Sequence, residues 1–525
     1  MSEKKLEPLL NTMQEYGLRR EVEPAVVLGG FLNQFWSFKH SSTKDELSRF
    51  LILESYDKVD ERIKVAGNGN KGETVNILKD FLKQILWTNP EAFEKRLKKK
   101  NLEEISNAKE QKELLKSITY NPLNHHLLGE IKGDSRIGQT LYECLNEALQ
   151  YDKVTLDKIR DRLNSLECHR EVEEKILDNL FRSHGDTDGE DNLNTGPSRS
   201  SRMPDRAGDY TSLFKQFGDD LLALLELDIP FLSKSRILLY LEKVTNLYAL
   251  LYYLRIICEK TDPQQGTPPP DGLPLILPLC SKELDDRFKD YSDACFQLYR
   301  QQSEDFWRTY LNEKVDKNAD KLGCKGHDPF KILEEFSKDK NATSIFGQIG
   351  STTINNLKDE IKSSLVLLQK SSLPSHVDKF TEAFLIYNLK GQRTLSRMKR
   401  ILDWQGAGAG IVAPEKGKGK HFNLNPELLE TLVIIFYSRN RHQQDKLSLQ
   451  NFIAEICLKY GIILGPSENL ETKLKGQDLP VPQPSLLKRN FEHLISMLAN
   501  LNMLERLSDK AMFIKCPFPL QKDEL

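Results

Sequence analysis

Apolar residues recur at steps of three and four along most of this chain, which is the spacing of one face of an α-helix. The stretches TVNILKDFLKQIL, LDKIRDRLNSLE and VEEKILDNLF show this spacing in the first third of the sequence. Close to the end, MLERLSDKAMFIKCPF contains two short strand-like runs around the turn LSDKA. The pattern therefore predicts a mainly α protein with a hairpin near its end.

The most apolar stretch, ILLYLEKVTNLYALLYYLRIIC at positions 237–258, is hydrophobic nearly all round. It is long enough to span a bilayer, but it contains Glu242, Lys243, Asn246 and Arg255. Each charged side chain at mid-membrane depth would cost about 2.5–3.5 kcal/mol. The stretch is therefore predicted to be a buried helix in the core of a helical protein.

A second packing helix is predicted in SKELDDRFKDYSDACFQLYRQQSEDFWRTYLNEK, where apolar positions alternate at steps of four and three. These positions are Leu284, Phe288, Tyr291, Cys295 and Leu298. An aromatic stripe follows at Phe306, Trp307 and Tyr310. We interpret the stripe as core rather than as a platform for stacking bases.

Two segments predict breaks between domains. Residues 183–209 are rich in Gly, Ser, Asp and Pro and have almost nothing to bury. The second segment, TDPQQGTPPPDGLP, is short and stiffened by three consecutive prolines. The predicted multidomain organisation is an N-terminal helical domain (1–182), a disordered linker (183–209), a central helical domain (210–392) with the Pro-rich loop 261–274, a basic Gly/Lys-rich segment (393–420) and a C-terminal domain (421–525).

Composition narrows the possible chemistry. The chain has 525 residues, a net charge of -2 and a charged fraction of 29%, so no overall field points to nucleic acid. Its eight cysteines are scattered without paired spacing, which argues against a disulfide framework or a thiolate zinc site. Cys324 and His327 lie three apart, but no second pair is close enough in sequence to complete four ligands. We therefore expect no bound metal.

No enzyme motif is complete. The run GAGAG at 406–410 follows a predicted helix, whereas a dinucleotide-binding loop follows a strand and has the full G-x-G-x-x-G spacing. The run EKGKGK lacks the leading glycine and the following Ser or Thr of a P-loop. We expect no catalytic residue, cofactor or small-molecule substrate. A site assembled from dispersed residues would have no signature in sequence spacing, and it remains the third interpretation.

The segment 393–420, RTLSRMKRILDWQGAGAGIVAPEKGKGK, carries seven Lys and Arg residues against two acids. A helix with Arg393, Arg397 and Arg400 on neighbouring faces, followed by a flexible Gly-Lys stretch, can track the phosphates of DNA. The same composition suits a solvated linker between domains. The sequence leaves both interpretations open.

The last hundred residues predict three helices and a hairpin. Asn425 is a candidate cap for the first helix, and Ser448 and Gly461 are the start and end signals of the second. The third helix is either capped by Ser485 or begins just after Pro484, and the hairpin follows it. Helix, helix, helix and hairpin is the order of a winged helix. The region resembles that family, including the leucine-rich LANLNMLERLSD before the wing.

In DNA-binding members of this family the third helix enters the major groove. The resemblance implies that Lys488, Arg489 and His493 face DNA, with Lys510 on the wing. From position 421 to the end, however, twelve Lys and Arg residues balance twelve Asp and Glu residues, so a protein-docking role is equally compatible. The candidate nucleic-acid-binding residues are Arg393, Arg397, Arg400, Lys416, Lys418, Lys420, Lys488, Arg489 and Lys510.

The layout of the whole chain resembles accessory, non-catalytic subunits of bacterial anti-phage systems, namely phosphorothioation-dependent restriction and methylation-associated defence. The resemblance rests on the all-apolar helix, the proline loop, LPLILPLCSKE, the aromatic helix ending FWRTYLNE and the winged-helix-like end. It implies a scaffold or DNA-contact subunit beside an ATPase or nuclease partner. The alternative is a protein-binding adaptor whose winged helix docks a partner subunit and does not bind nucleic acid.

The chain ends in KDEL at 522–525, a tetrapeptide that retains soluble proteins in the endoplasmic reticulum. Entry to that compartment needs an apolar leader, and the start MSEKKLEPLLNTMQEYGLRREVEP is charged throughout. Together with the unpaired cysteine spacing, this predicts a cytoplasmic protein without membrane contact, in which the tetrapeptide is a coincidence.

Overall fold

A computed structural model describes most of the chain after position 136 and short pieces before it. The described residues are 6–7, 9–10, 16, 18, 24–36, 137–168, 207–227, 234–259, 274–281, 286–338, 345–346, 354–390, 393–414, 417–443, 447–467, 470–507 and 511–518. The helices predicted at 74–86 and 172–181, the linker up to 206 and the three prolines lie outside these ranges.

The described residues are mainly helical, as predicted. The helices are α1 (Pro24–Trp36), α2 (Ile137–Ala148), α3 (Lys153–Cys168), α4 (Thr211–Leu225), α5 (Lys234–Glu259), α6 (Asp286–Leu322), α7 (Pro329–Lys338), α8 (Ile354–Leu368), α9 (His376–Leu389), α10 (Thr394–Lys399), α11 (Ile401–Ala409), α12 (Pro426–Asn440), α13 (Leu449–Tyr460), α14 (Leu470–Gly476) and α15 (Pro484–Asn500). Two antiparallel hairpins join β1 (Val412–Ala413) to β2 (His421–Phe422) and β3 (Leu504–Arg506) to β4 (Met512–Ile514).

Helix α5 is the centre of the fold. It packs against α1, α2, α4, α6, α11 and α12, and the helix is buried on all sides over most of its length, which confirms the predicted core helix. The buried Asn246 donates hydrogen bonds to the carbonyls of Pro24 and Glu242. The Lys243 ammonium lies 2.9 Å from a carboxylate oxygen of Glu427. Among the described helices, none is both long and apolar enough to cross a membrane.

The aromatic stripe of α6 is core, as predicted. Phe306, Trp307 and Tyr310 are each at most 2% exposed, and their rings contact one another edge-on or stacked. One turn earlier, the Ser303 hydroxyl lies 2.5 Å from the Tyr253 hydroxyl of α5. The stripe therefore fixes α6 against α5 and leaves no ring face free for a base.

The glycine-rich run 406–410 is helical up to Ala409, and most of it is buried. It forms the second half of α11, which has its most extensive packing against α5. A methyl group added at Gly408 would lie 2.5 Å from the ring of Pro24 and 3.0 Å from Asn246. Gly410 ends the helix with a φ of 88°, a conformation that favours glycine. The small residues therefore allow two helices to approach closely.

A second bundle lies around α9, which packs against α6, α7 and α8. Its start is a complete capping box, because Ser375 and Asp378 each accept a hydrogen bond from the other's backbone N–H. Helix α10 continues from this bundle and contacts α6 and α9.

The C-terminal unit, which we define as α12 to β4, follows the predicted order of helices and hairpin. Asn425 caps α12 and Ser448 caps α13, while Gly461 ends α13 at a φ of 68°. Helix α15 begins at Pro484 with Gln483 as its cap. The alternative prediction, a cap at Ser485, is wrong because that residue lies inside the helix, where proline already occupies the first position.

Isolated β-bridges tie this unit together and to the rest of the fold. Ser448, before α13, bridges to Phe513 of β4, so the terminal hairpin is attached to the second helix. The segment 274–281, which includes LPLILPLC, bridges in parallel to Asn423 on one side and Ile462 on the other. Asn490 of α15, which is fully buried, accepts from the Cys280 N–H and donates to the Pro278 carbonyl.

Candidate functional site

The first predicted DNA contact, Arg393, is engaged inside the fold. Its guanidinium forms an ion pair with Glu360 and donates to the Tyr387 carbonyl at 2.8 Å. The same group lies 3.6 Å from the centre of the Tyr387 ring. These contacts hold the start of α10 on α9. The positive charge that the sequence predicts will bind phosphate is paired here with Glu360.

The other basic residues of α10, and Arg400 at its C-cap, are also half-buried. Lys399 forms an ion pair with Glu304 of α6. Arg397 and Arg400 are both half-buried and have interaction partners in the fold. Their role in DNA binding stays a prediction, and each would have to leave existing contacts to reach a phosphate.

The Gly-Lys stretch forms the turn between β1 and β2. Gly417 and Gly419 have φ values of 106° and 73°, and Lys418 between them is exposed. Lys420 donates to the Pro414 carbonyl at 2.9 Å, which closes the base of the turn. Lys416 lies outside the described residues. The turn thus presents Lys418 to solvent while Lys420 supports the loop.

The predicted residues of the third helix lie on the outer face of α15. Lys488 and Arg489 are exposed, and His493 is half-buried. The next residue, Asn490, points to the opposite side and is held by the segment 274–281 through two hydrogen bonds. Lys510 of the wing lies outside the described residues.

Sequence reasoning missed a buried polar cluster that joins four helices. Asp220 of α4 is fully buried, and its Oδ2 accepts hydrogen bonds from the hydroxyls of Tyr248 of α5 and Tyr460 of α13. Its Oδ1 lies 2.6 Å from Nη2 of Arg439 of α12. This short contact lacks the angles of a hydrogen bond and is therefore an ion pair. The cluster connects the C-terminal unit to the core.

In this cluster, burial and the neighbouring charged and polar groups shift the pKa values of Asp220 and Arg439 in opposite directions. Burial raises the pKa of Asp220, and the Arg439 charge and the two tyrosine hydroxyls only partly offset it. Burial is the largest single effect on Arg439 and lowers its pKa, but Asp220, the two tyrosines and Asp219 together outweigh it, so that the net pKa of Arg439 is raised. Burial together with the Asp220 charge raises the pKa of Tyr248 and Tyr460 well above the ordinary value. The tyrosines therefore stay protonated and act as donors.

A signal for this cluster existed in the sequence. In TSLFKQFGDDLLALL, helical spacing assigns Asp220 to the same stripe as Phe217, Leu221 and Leu224, which are all buried. An acid on an apolar stripe needs a buried partner. The identity of that partner was not available from spacing, because Arg439 lies more than 200 positions further along the chain.

An open cleft of about 380 Å³ adjoins the cluster. One wall is a face of α4, and the other comes from the end of α12. The lining residues are Asp219, Leu222, Ala223, Glu226, Ser438 and Arg439. Glu226 accepts a hydrogen bond from Ser438 at 2.5 Å and lies 3.4 Å from the guanidinium of Arg441. The cleft thus combines an apolar floor with charged groups at its edges.

Within the described ranges, no group of three His, Cys, Asp or Glu side chains is placed to hold a metal ion. Cys324 is buried and His327 is exposed, and they share a turn in which the His327 N–H donates to the Cys324 carbonyl. Comparison with known protein families, with characterised proteins and with solved structures gave no match.

Proposed function

We propose that this chain is a non-catalytic scaffold subunit of a prokaryotic anti-phage defence complex, and that it contacts double-stranded DNA through a winged-helix-like C-terminal unit. The defence setting and the partner, an ATPase or nuclease, rest on the resemblance in sequence layout described above. The DNA contact rests on α15.

The observation that carries the proposal is the orientation of α15. Lys488 and Arg489 are exposed while the adjacent Asn490 is fully buried and hydrogen-bonded on both sides. A helix held in this way presents its basic residues with little freedom to rotate. Pre-organised cations lose less entropy when they meet a phosphate or a base edge.

The order of elements in the C-terminal unit also supports a winged helix. Three long helices precede the β3–β4 hairpin, and the bridge from Ser448 to Phe513 attaches that hairpin to the start of α13. The short helix α14 occupies the insertion between the second and third long helices. Strand β3 also packs against α15, and a hairpin attached to both helices supports the interpretation as a wing.

The exposed Lys418 is a further cation, outside α15, that faces solvent. By contrast, the α10 cations contact Glu360 and Glu304. We therefore assign the DNA contact to α15 and the β1–β2 turn, and a supporting role in the fold to Arg393.

The alternative, a protein-docking adaptor, is favoured by one observation. The C-terminal region carries equal numbers of acidic and basic residues, so it lacks the surplus positive charge that most DNA-binding surfaces have. In this reading, the outer face of α15 contacts a partner subunit.

The test is a salt titration of duplex DNA binding to the full chain, measured by fluorescence anisotropy. Wild-type affinity should fall steeply with salt. Because each phosphate contact contributes about 0.9 to the slope of log K against log salt, Lys488→Ala with Arg489→Ala should reduce that slope by about 2. Lys418→Ala should reduce it by about 1. Lys370→Ala, at an exposed lysine just beyond α8, is the matched control and should leave the slope unchanged.

Absence of DNA binding by the wild-type chain would exclude the proposal and favour the adaptor. Binding that responds equally to the control and to the α15 variants would place the contact elsewhere. Co-purification with an ATPase or nuclease encoded beside the gene, if lost in the α15 variants while DNA binding is absent, would support protein docking by this helix.

A further inference from the structure

We propose that the free edge of strand β3 binds an extended segment of a partner protein by strand addition, and that this segment carries an acid followed directly by a base. The edge is separate from the outer face of α15, and the inference does not depend on DNA binding. It rests on the hydrogen-bonding register of the β3–β4 hairpin, on the charges along β3 and on an exposed leucine at its end.

The register of the hairpin determines which backbone groups of β3 point away from β4. The Lys515 N–H donates to the Met503 carbonyl at one end, and the Leu507 N–H donates to the Ala511 carbonyl at the other. Hydrogen bonding to one neighbour alternates along an antiparallel strand. Every second residue of β3 is therefore bonded to β4, and the residues between them turn their N–H and C=O groups to the other side.

The residues that turn these groups outward are Leu504 and Arg506. They lie opposite Ile514 and Met512, as the two pairs of the hairpin that exchange no hydrogen bonds. Within the described residues, the backbone N–H and C=O groups of Leu504 and Arg506 have no hydrogen-bond partner. The edge thus offers two donors and two acceptors in the arrangement with which an added antiparallel strand pairs.

The other sides of the hairpin are occupied. Strand β4 bridges at Phe513 to Ser448, at the start of α13. One face of β3 packs against α15, and Leu504 on that face is only 9% exposed. In the described part of the hairpin, the edge of β3 and its outer face, with the exposed Glu505 and Leu507, therefore remain available to a partner.

The side chains along the edge specify the charges of the added strand. Glu505 and Arg506 are both exposed, and neither forms an ion pair within the described residues. Opposite charges that face each other across an antiparallel pair are favourable, and like charges are unfavourable. An antiparallel segment that runs acid then base places its acid opposite Arg506 and its base opposite Glu505. An apolar residue just before the acid would lie opposite Leu507, which is 46% exposed.

A second copy of this chain does not match the edge. For two β3 strands to pair antiparallel through the outward groups of both copies, Leu504 of one must lie opposite Arg506 of the other. Glu505 of one copy then faces Glu505 of the other, and like charges directly opposite are destabilising. The charges therefore favour a partner of different sequence.

The experiment uses the full-length chain and a fluorescein-labelled peptide, TTIEKVTT, whose Ile, Glu, Lys and Val would lie opposite positions 507, 506, 505 and 504 in turn. The control peptide, TTIKEVTT, has the same composition and net charge, with the two charged residues exchanged. Binding is measured by anisotropy at low ionic strength. Hydrogen exchange at the Leu504 and Arg506 amides reports where the peptide lies.

We expect TTIEKVTT to bind at least about fivefold more tightly than TTIKEVTT, because the exchange turns two favourable cross-strand charge pairs into two unfavourable ones. The double variant Glu505→Arg with Arg506→Glu should reverse this preference. Both positions are exposed and the net charge is unchanged, so the fold should be retained. Bound peptide should slow hydrogen exchange at the amides of Leu504 and Arg506.

A second pair of peptides tests the backbone contacts without changing any charge. In the proposed register the N–H of the peptide Glu points to the β3 edge, whereas the N–H of the peptide Lys points away from it. N-methylation at Glu should therefore weaken binding about tenfold or more, since it removes a donor and blocks the edge. N-methylation at Lys should have little effect.

Equal affinity for the two charge-exchanged peptides, no measurable binding of either, or a preference that does not reverse in the double variant would each overturn the proposal. Equal effects of the two N-methyl groups would do so as well. Slower exchange at the Leu504 and Arg506 amides when the chain alone is concentrated would assign the edge to a second copy instead. No DNA is present in these measurements, so failure here and failure of the DNA contact are separately visible.

Discussion

Asp220 of α4 and Arg439 of α12 form an ion pair across the junction between the central helices and the C-terminal unit, with 2.6 Å between Oδ1 and Nη2. The carboxylate is fully buried and the guanidinium side chain is 17% exposed. Tyr248 and Tyr460 complete the surroundings of the acid with two hydroxyl donors. The C-terminal unit is therefore joined to the core by charge as well as by apolar packing.

Arg439→Met should destabilise the chain strongly. It removes the only cation in contact with Asp220 among the described residues, and breaking a buried ion pair in this way costs about 3–5 kcal/mol. The measurement is the thermal unfolding midpoint. Lys475→Met removes an exposed pair with Glu471 and should cost at most about 1 kcal/mol. Equal shifts for the two variants would contradict a stabilising role for the buried pair.

Glu7 should make the attachment of the N-terminal segment dependent on pH. Its carboxylate accepts from the ammonium groups of Lys314 and Lys321. The hydrogen bond from Lys314 is the main reason that the pKa of Glu7 lies below its ordinary value of about 4.5. The folded state therefore gains stability from this group above about pH 4.5 and loses it as the pH falls through the lowered pKa.

The readout for Glu7 is hydrogen exchange at the Leu9 amide, which donates to the Ile345 carbonyl. Its protection factor should fall on acidification below about pH 4.5. Glu7→Gln should lower the protection at neutral pH and remove most of this pH dependence. A wild-type protection factor that is constant across the acidic range would contradict the expectation.

Gly408→Ala should destabilise the packing of α11 against α1 and α5. The added methyl group would lie 2.5 Å from the Pro24 ring, which cannot move easily, and overpacking of this kind costs about 1–3 kcal/mol. Gly326→Ala is the matched control, because its added methyl group meets nothing within 4 Å. Thermal unfolding of both variants distinguishes close packing from a general effect of replacing glycine.

Asn490→Ala should loosen α15 without touching its exposed face. The substitution leaves the Cys280 N–H and the Pro278 carbonyl without their partner, at about 1–3 kcal/mol for each buried group left unsatisfied. If the orientation of α15 matters for DNA, affinity should fall although Lys488 and Arg489 are intact. Asn500→Ala, at an exposed position of the same helix, should change neither stability nor affinity.

The pattern of apolar positions was sufficient for most local features. It located the buried helix α5, the aromatic stripe of α6 and the starts of α12 and α13 at Asn425 and Ser448. These features depend on neighbours within one or two helical turns, so a short window of sequence contains their causes. The hairpin β3–β4 was found for the same reason, because its strands lie on either side of one turn.

Long-range pairings required the tertiary structure. The run at 406–410 matches no binding motif, and only the close approach of α1 and α5 explains why small residues are needed there. The ion pair between Arg393 and Glu360 also joins residues that no short window of sequence contains. The sequence by itself determined a mainly α chain with its caps and core helices, since those follow from local periodicity. Only the fold decided which charges are paired and which, like Lys488, face solvent, since pairing joins residues far apart in the chain.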